Sequence, residues 1–288
     1  MINNLVSIRR KIWKNGKGPG YYLLKKLIKL LMNPNRYYLI GVDVGSMYLK
    51  DSDDSLMNTI LWSGSHYERN TIRIIKEFIK PGFAAMDVGA HIGYFSLLMG
   101  KQIGPNGAIY VFEPQSELNS QIRRTLEVND VTNFVLEDLL LAGYEGEVLF
   151  HEAKDSGHSS ISDSIIDSES VITVKKRATT LDQYCIENGI KRLDFLKLDV
   201  EGAEWVILGP GADYVLSELR PILLVEIHQQ QITKLGGSVN ELLNRLTSKG
   251  YEVQQISSKK FSLDLITDTT RFGDNWHLLA LNHKHIKR

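Results

Sequence analysis

"AMDVGAHIGYFSLLMG", Ala85 to Gly100, decides the fold. It opens as a short apolar run, breaks at Gly89 and Gly93, and resumes with apolar residues at helical spacing. That is a buried strand leading through a glycine turn into a helix. Glycine takes positive φ in such a turn and lets a ligand approach the backbone. The helix that follows opens with N–H groups that have no intrahelical partner, which suits a polar or anionic ligand group. Asp87, at the strand's end, suits a ligand bearing an ammonium group.

Working outward, the pattern repeats. Glu68 to Gly82 is helical in period and stops at a Pro-Gly pair. Gly104 to Pro114 reads as a turn and a second strand, Ser116 to Asp130 as a helix, and Val131 to Glu137 as a third strand. This βαβαβ run predicts a mainly parallel sheet with helices on both faces. Leu139 to Thr179 differs: Gly146–Ala153 and Val171–Lys176 read as antiparallel strands around an acidic, serine-rich loop from Asp155 to Ser170. The α/β pattern then resumes. Thr180–Gly189 is a helix, Asp194–Gly202 a fourth strand with its loop, and Ala203 begins another helix. Arg220–His228 is a fifth strand and Val239–Gly250 a helix, with closing strands at Tyr251–Ser257 and Asn275–Asn282. The expectation is one Rossmann-like α/β domain over residues 68–288, with about seven main strands, and a basic helical extension over residues 1–67.

The bulk numbers are those of a globular protein: 288 residues, 43% hydrophobic and 24% charged. Lysine plus arginine equal aspartate plus glutamate at 34 each, so net charge gives no argument for nucleic acid. Cys185 is the one cysteine, which excludes an internal disulfide and points to a reducing, cytoplasmic setting. The N-terminus is locally basic, with no acidic residue from Met1 to Gly41. Tyr21 to Met32 carries a helical stripe of Leu24, Leu27, Ile28 and Leu31, but lysines interrupt it before the roughly 20 apolar residues a membrane span needs. A continuous signal-peptide core is also missing. Two readings stay open: a helix packed on its own domain with lysines in water, or peripheral contact with an anionic membrane surface or lipid-linked substrate. The basic tail Asn282–Arg288 reads as a solvated end.

Three groups of residues carry candidate chemistry. The first is the glycine turn with Glu113, which ends the second strand and can accept both hydroxyls of an adenosine ribose. That geometry serves nicotinamide dinucleotides and S-adenosylmethionine alike. The turn here is G-A-H-I-G, with His91 in place of a middle glycine of G-x-G-x-x-G, and Asp87 is unfavourable to a pyrophosphate. The second group is "KLDVEGAEW", with Lys197, Asp199, Glu201 and Glu204 at the end of the fourth strand beside the first. Lys197 is expected to pair with a carboxylate; Glu204 reads otherwise as a cap of the following helix. The third is "VEIHQQQ", where Glu226 and His228 share one strand face. Histidine is a natural proton acceptor near neutral pH. A divalent metal between Asp199, Glu226 and His228 is conceivable, but the residues have no diagnostic metal spacing and no metal ligands are assigned.

Taken in order, "FIKPGFAAMDVGAHIGYFSLLMG", "VFEPQSELNSQIRRTLEVN", "TLDQYC", "LDFLKLDVEGAEWVILGPG" and "LRPILLVEIH" resemble the FkbM family of class I, S-adenosylmethionine-dependent methyltransferases, over Glu68 to Gln230. The resemblance implies a Rossmann-like sheet, mostly parallel with its last strand antiparallel. It also implies O-methylation of a sugar, glycolipid, polysaccharide or natural-product hydroxyl. Asp87, Gly89, His91, Gly93 and Glu113 would then bind S-adenosylmethionine, with Asp87 toward its amino-acid end and Glu113 on its ribose. Asp138 falls where such enzymes contact the adenine amino group, although "VLEDLLLAG" matches poorly. Ser159 and Ser160 match a serine pair of the variable loop. His91 departs from the family's usual asparagine; it keeps a hydrogen-bonding ring nitrogen.

The methyl sulfonium is already activated, so such an enzyme mainly aligns an acceptor oxygen and removes its proton. His228 and Asp199 are the candidates for that base, with Glu201 or Glu226 orienting acceptor or base. The competing readings are a non-catalytic S-adenosylmethionine-fold binding protein, a nicotinamide-dependent oxidoreductase and a nucleic-acid methyltransferase. Against the last, the core has no basic stripe interleaved with aromatics. Asp199-Val200-Glu201-Gly202 also stands where an N-P-P-Y-like turn would be.

Overall fold

The computed structural model describes residues 19–33, 35–50, 59–60, 67–153, 171–257, 261–266 and 273–282. Ser159, Ser160 and the loop from Asp155 to Ser170 lie outside the described residues, as do the first 18 residues and nearly all of the basic tail.

In chain order the elements are α1 (Pro19–Leu31), β1 (Tyr38–Val42), β2 (Gly45–Leu49), α2 (Arg69–Phe78), β3 (Ala84–Val88), α3 (Tyr94–Ile103), β4 (Ala108–Phe112), α4 (Ser116–Glu127) and β5 (Phe134–Glu137). There follow β6 (Leu140–Leu141), β7 (Gly146–Ala153), β8 (Val171–Thr179), α5 (Leu181–Glu187), β9 (Phe195–Leu198), α6 (Glu204–Ile207) and β10 (Ile222–His228). The chain closes with α7 (Gln229–Lys234), α8 (Val239–Ser248), β11 (Tyr251–Ile256), β12 (Leu263–Leu265) and β13 (Asn275–Asn282).

The main sheet has the order β12-β11-β13-β10-β9-β3-β4-β5. From β10 to β5 every pairing is parallel; β13 runs antiparallel to both β10 and β11. This is the expected Rossmann-like class I methyltransferase sheet with its last strand reversed, widened by the three-residue edge strand β12. Period-two alternation sorts its side chains into two layers. Ala85, Phe195 and Leu224 pack with Ile75 of α2, Leu97 of α3 and Ile122 of α4. Their neighbours Met86, Leu196 and Leu223 pack on the other face with Leu181 of α5, Ile207 of α6 and Leu246 of α8. A leucine or isoleucine fully buried this way contributes about 1.5–3 kcal/mol each.

The N-terminal part differs from a purely helical extension. β1 and β2 form an antiparallel hairpin whose Ile40, Met47 and Leu49 are buried in the same core layer as α3 and α4. Asn129, just past α4, accepts the Ser46 N–H at 3.0 Å and donates back to the Ser46 carbonyl at 2.6 Å. The Tyr94 hydroxyl donates to Asp43 in the hairpin turn at 2.7 Å. In α1, Ile28 and Met32 just beyond it turn inward, whereas Leu27 and Leu31 of the same sequence stripe turn outward. β7 and β8 pair antiparallel as read, with β8 longer than expected. Among the described residues no helix is long and apolar enough to cross a membrane.

Candidate active site

The site lies outside the carboxyl ends of β3, β9 and β10, where an open parallel sheet leaves a crevice. Gly89 and Gly93 are demanded there by the protein itself. Gly89 has φ 79°, and a Cβ on it would stand 1.8 Å from the Asp199 carbonyl oxygen. Gly93 has φ 78° and sits against Ile122. The turn therefore packs directly on the loop leaving β9. His91, at φ 52°, donates its backbone N–H to Glu113 Oε2 at 2.7 Å, and the Gln115 N–H donates to Oε1 at 2.9 Å. Burial pushes the Glu113 carboxyl up, against the lowering effect of His91 and these two N–H groups. Each Glu113 oxygen keeps a further lone pair. The donor set thus fits S-adenosylmethionine: a fixed, buried carboxylate for vicinal ribose hydroxyls beside the opening turn of α3, which has no side-chain cap. Asp138 is exposed one residue past β5.

Asp87 is also tied into the protein's own ion network. Register sets it directly opposite Lys197 in the neighbouring strand, on the same face. Its carboxylate is fully buried, accepts from Ser96 Oγ at 2.6 Å and lies 3.6 Å from Lys197 Nζ. Lys197 Nζ also donates to Asp199 Oδ2 at 3.3 Å and stands 5.1 Å from the Phe95 ring centre. Burial alone would lower the lysine; Asp199 and Asp87 outweigh it and hold the ammonium above its ordinary range. Burial raises Asp87 despite Lys197 and Ser96. At Asp199 burial is outweighed by Lys197, His228 and His277, which hold its carboxyl below the usual range. Asp87 is the inner anchor of an ion triad whose outer member, Asp199, reaches the crevice with its side chain 22% exposed.

His228 is 2% exposed. Its Nδ1 lies 3.1 Å from Oε1 of the fully buried Glu204; on the other side Glu201 and Glu226 oxygens stand 3.5 and 3.8 Å from Nε2. Burial would lower this imidazole, but Glu204, Glu201 and Asp199 push it up to about 9. These carboxylates favour the protonated imidazole. Glu201 is pushed up by burial to about 7, against the pull of His228 and with Asp199 and Glu226 adding to it. It keeps its side chain 32% exposed and is held at φ 52°. Of the five non-glycine residues with positive φ among the described residues, Glu68, His91 and Glu201 all border this crevice, as strained backbone at working sites does.

Two members escaped the sequence reading. His277 on β13 lies directly across from Glu226 in register. Its Nε2 is 3.3 Å from Glu68 Oε2 and 3.5 Å from Glu226 Oε2, and these carboxylates outweigh burial to raise it to about 10. The second is Glu68, preceding α2, where Tyr67 packs edge-on against Tyr94 and tilted against Phe95. Burial raises the Tyr67 phenol further, as do Glu68 and Asp199 beside it. Neither signal is local: His277 is placed by strand register, and Glu68 reaches it from the start of α2.

The methyltransferase FkbM domain model matches residues 87–253 of this chain. The chain belongs to the FkbM methyltransferase family. It carries the domain and the fold of S-adenosylmethionine-dependent methyltransferases. The family region contains the glycine turn, Glu113, Asp199, Glu201, Glu226 and His228; Glu68 and His277 lie outside it. A curated relative, the AMB antimetabolite synthetase AmbE of Pseudomonas aeruginosa, is 27% identical over 212 residues, covering 61% of this chain and 10% of its own length. The chain thus spans about a tenth of that relative. Among solved structures, the FkbM methyltransferase of Methylobacillus flagellatus is similar with a TM-score of 0.44 and 16% identity, over 78% of this chain and 52% of its own. An S-adenosylmethionine-dependent O-methyltransferase of Thermotoga maritima is similar with a TM-score of 0.39 and 12% identity, over 92% and 82%.

Proposed function

We propose that this FkbM methyltransferase methylates a hydroxyl of a sugar, glycolipid, polysaccharide or related small molecule. The observation that carries the reading is the Glu201–His228–Glu226 group, within 3.8 Å around His228 Nε2, with only β9 between β10 and the strand that leads into the glycine turn. Bound S-adenosylmethionine supplies a methyl group already activated for transfer. Glu113 would hold its ribose, the turn at Gly89, His91 and Gly93 its methionine end, and Asp138 its adenine edge. Asp87 acts through Lys197 and Ser96 to keep the turn and Asp199 in place. The acceptor hydroxyl sits among Asp199, Glu201 and Glu226, which accept its hydrogen bonds and those of neighbouring hydroxyls. Glu201, the most exposed of the three, takes the proton as the oxygen meets the methyl group. Calorimetry with S-adenosylmethionine, with NAD as control, is the first test: Glu113→Ala should weaken binding at least about tenfold. Acceptor sugars are then screened with Glu201→Gln as control. Cofactor binding with no transfer to any hydroxyl acceptor, and transfer to an amine instead, would overturn the acceptor class.

We also propose that α1 rests on an anionic lipid surface, which would bring a glycolipid acceptor to the crevice. Leu23, Leu27, Leu30 and Leu31 form one outward stripe at i, i+4, i+7 and i+8, with Leu23 and Leu30 71% and 75% exposed. The exposed Lys26 and Lys29 flank that stripe, and no acidic residue precedes Val42. A leucine stripe edged by lysine complements anionic headgroups over acyl chains.

A further inference from the structure

We infer that Asp199, Glu226 and His228 form a divalent-cation site that holds the oxygen of the methyl acceptor. One ligand atom from each lies within 4.8 Å of the others. A cation bonded at roughly 2.0–2.2 Å keeps its ligands about 3 to 4 Å apart. His228 Nε2 and Glu226 Oε1 are 3.8 Å apart, too long for a hydrogen bond and suited to a shared cation.

The histidine decides which part of the cluster this is. His228 is 2% exposed, yet its Nε2 faces only oxygens that stand off at 3.5 and 3.8 Å. Its hydrogen bond is made on the opposite side, from Nδ1 to Glu204. A carboxylate behind the ring, fixing its plane and presenting the far nitrogen, is the support that metal-binding histidines carry. His277 lacks it: both of its carboxylate partners share the one nitrogen. Asp199 is also prepared, because Lys197 takes Oδ2 and leaves Oδ1 for the crevice. Glu226 offers Oε1 toward His228 and Oε2 toward His277. Even with both imidazoles protonated, the linked cluster has six carboxylates against three cationic side chains. A divalent cation, taking the place of the Nε2 proton, adds one net positive charge against that excess.

One imidazole and two carboxylates suit Mn²⁺, Mg²⁺ or Zn²⁺. The open positions would face the crevice, where a bound hydroxyl oxygen is held and made more acidic by the cation. Glu201 stays outside the ligand set and receives the proton. The inference rests on this crevice being the acceptor site.

The test uses the full chain, stripped with chelator and titrated with Mn²⁺ by electron paramagnetic resonance, beside a calorimetric titration with S-adenosylmethionine. We expect one saturable Mn²⁺ per chain. Asp199→Asn and Glu226→Gln should each weaken it at least about tenfold, and Glu68→Gln, outside the ligand set, should change it less than about twofold. Mn²⁺ should also broaden the His228 ring signals in the unsubstituted chain, a readout that does not depend on a variant folding. Normal S-adenosylmethionine binding without saturable Mn²⁺ uptake would overturn the cation site and leave the methyltransferase reading intact. Uptake indifferent to Asp199→Asn and Glu226→Gln, without broadening at His228, would overturn it equally.

Discussion

Glu204 Oε1, on a side chain that solvent does not reach, lies 3.1 Å from His228 Nδ1 and accepts the backbone N–H groups of Val200 and Gly202, each at 3.2 Å. One oxygen therefore ties the loop leaving β9 to the end of β10. Glu204→Ala would leave one buried N–H group, one half-buried N–H group and one imidazole without this acceptor. The expected loss is on the order of 2–4 kcal/mol of stability, with Glu204→Gln losing about half as much because its carbonyl still accepts. Urea unfolding measures this. A Glu204→Ala variant within about 0.5 kcal/mol of the parent would show that the loop is held some other way.

The two turn glycines should differ in kind. Both have φ near 80°, so alanine at either strains the backbone by about 1 kcal/mol. At Gly93 the new methyl meets the Ile122 side chain at 3.1 Å, which can give by a few tenths of an ångström. At Gly89 it meets a main-chain oxygen at 1.8 Å, and the Asp199 backbone must move. Gly93→Ala is expected to lose about 1–2 kcal/mol and keep cofactor affinity; Gly89→Ala is expected to lose about 3 kcal/mol or more and to bind S-adenosylmethionine weakly. Equal effects in thermal melts and calorimetry would contradict the packing of the turn on the β9 loop.

Cys185 is fully buried in α5, and burial pushes its thiol up to about 12. Since the thiolate is the reactive form, native protein should not react with a disulfide reagent at pH 8, and labelling should follow global unfolding. Rapid native labelling would mean that α5 opens far more easily than its packing implies.

The parallel core was legible because each of its strands sits between a helix-period segment and a glycine or proline stop, and because Asp87, Glu113, Asp199 and His228 fall at strand ends. What those side chains touch was not legible. Asp87 reads as a ligand contact, and only register shows that it also stands against Lys197. His277 and Glu68 join Glu226 only once β13 folds back antiparallel beside β10. The β1–β2 hairpin escaped because "YLIGV" and "GSMYL" lack a two-residue Asn-Gly or Asp-Gly signal between them. In α1 an apolar stripe says that a face exists and not which body covers it: Ile28 turned to the protein and Leu27 away from it.

That outward face gives the last prediction. The stripe of Leu23, Leu27, Leu30 and Leu31 would gain about 1.5–3 kcal/mol per fully buried leucine at a lipid surface, and each nearby lysine about 1 kcal/mol at an anionic one. Flotation with vesicles of phosphatidylcholine and phosphatidylglycerol should therefore carry the protein up, and phosphatidylcholine alone should carry much less. Raised salt should weaken the lysine share and leave the leucine share, so binding falls without vanishing. Leu27→Ser with Leu30→Ser should abolish flotation and leave S-adenosylmethionine binding unchanged, because both side chains point away from the core. Concentration-dependent dimerisation with no flotation, lost in the same double variant, would assign the stripe to a second copy of the chain and remove the lipid surface from the proposal.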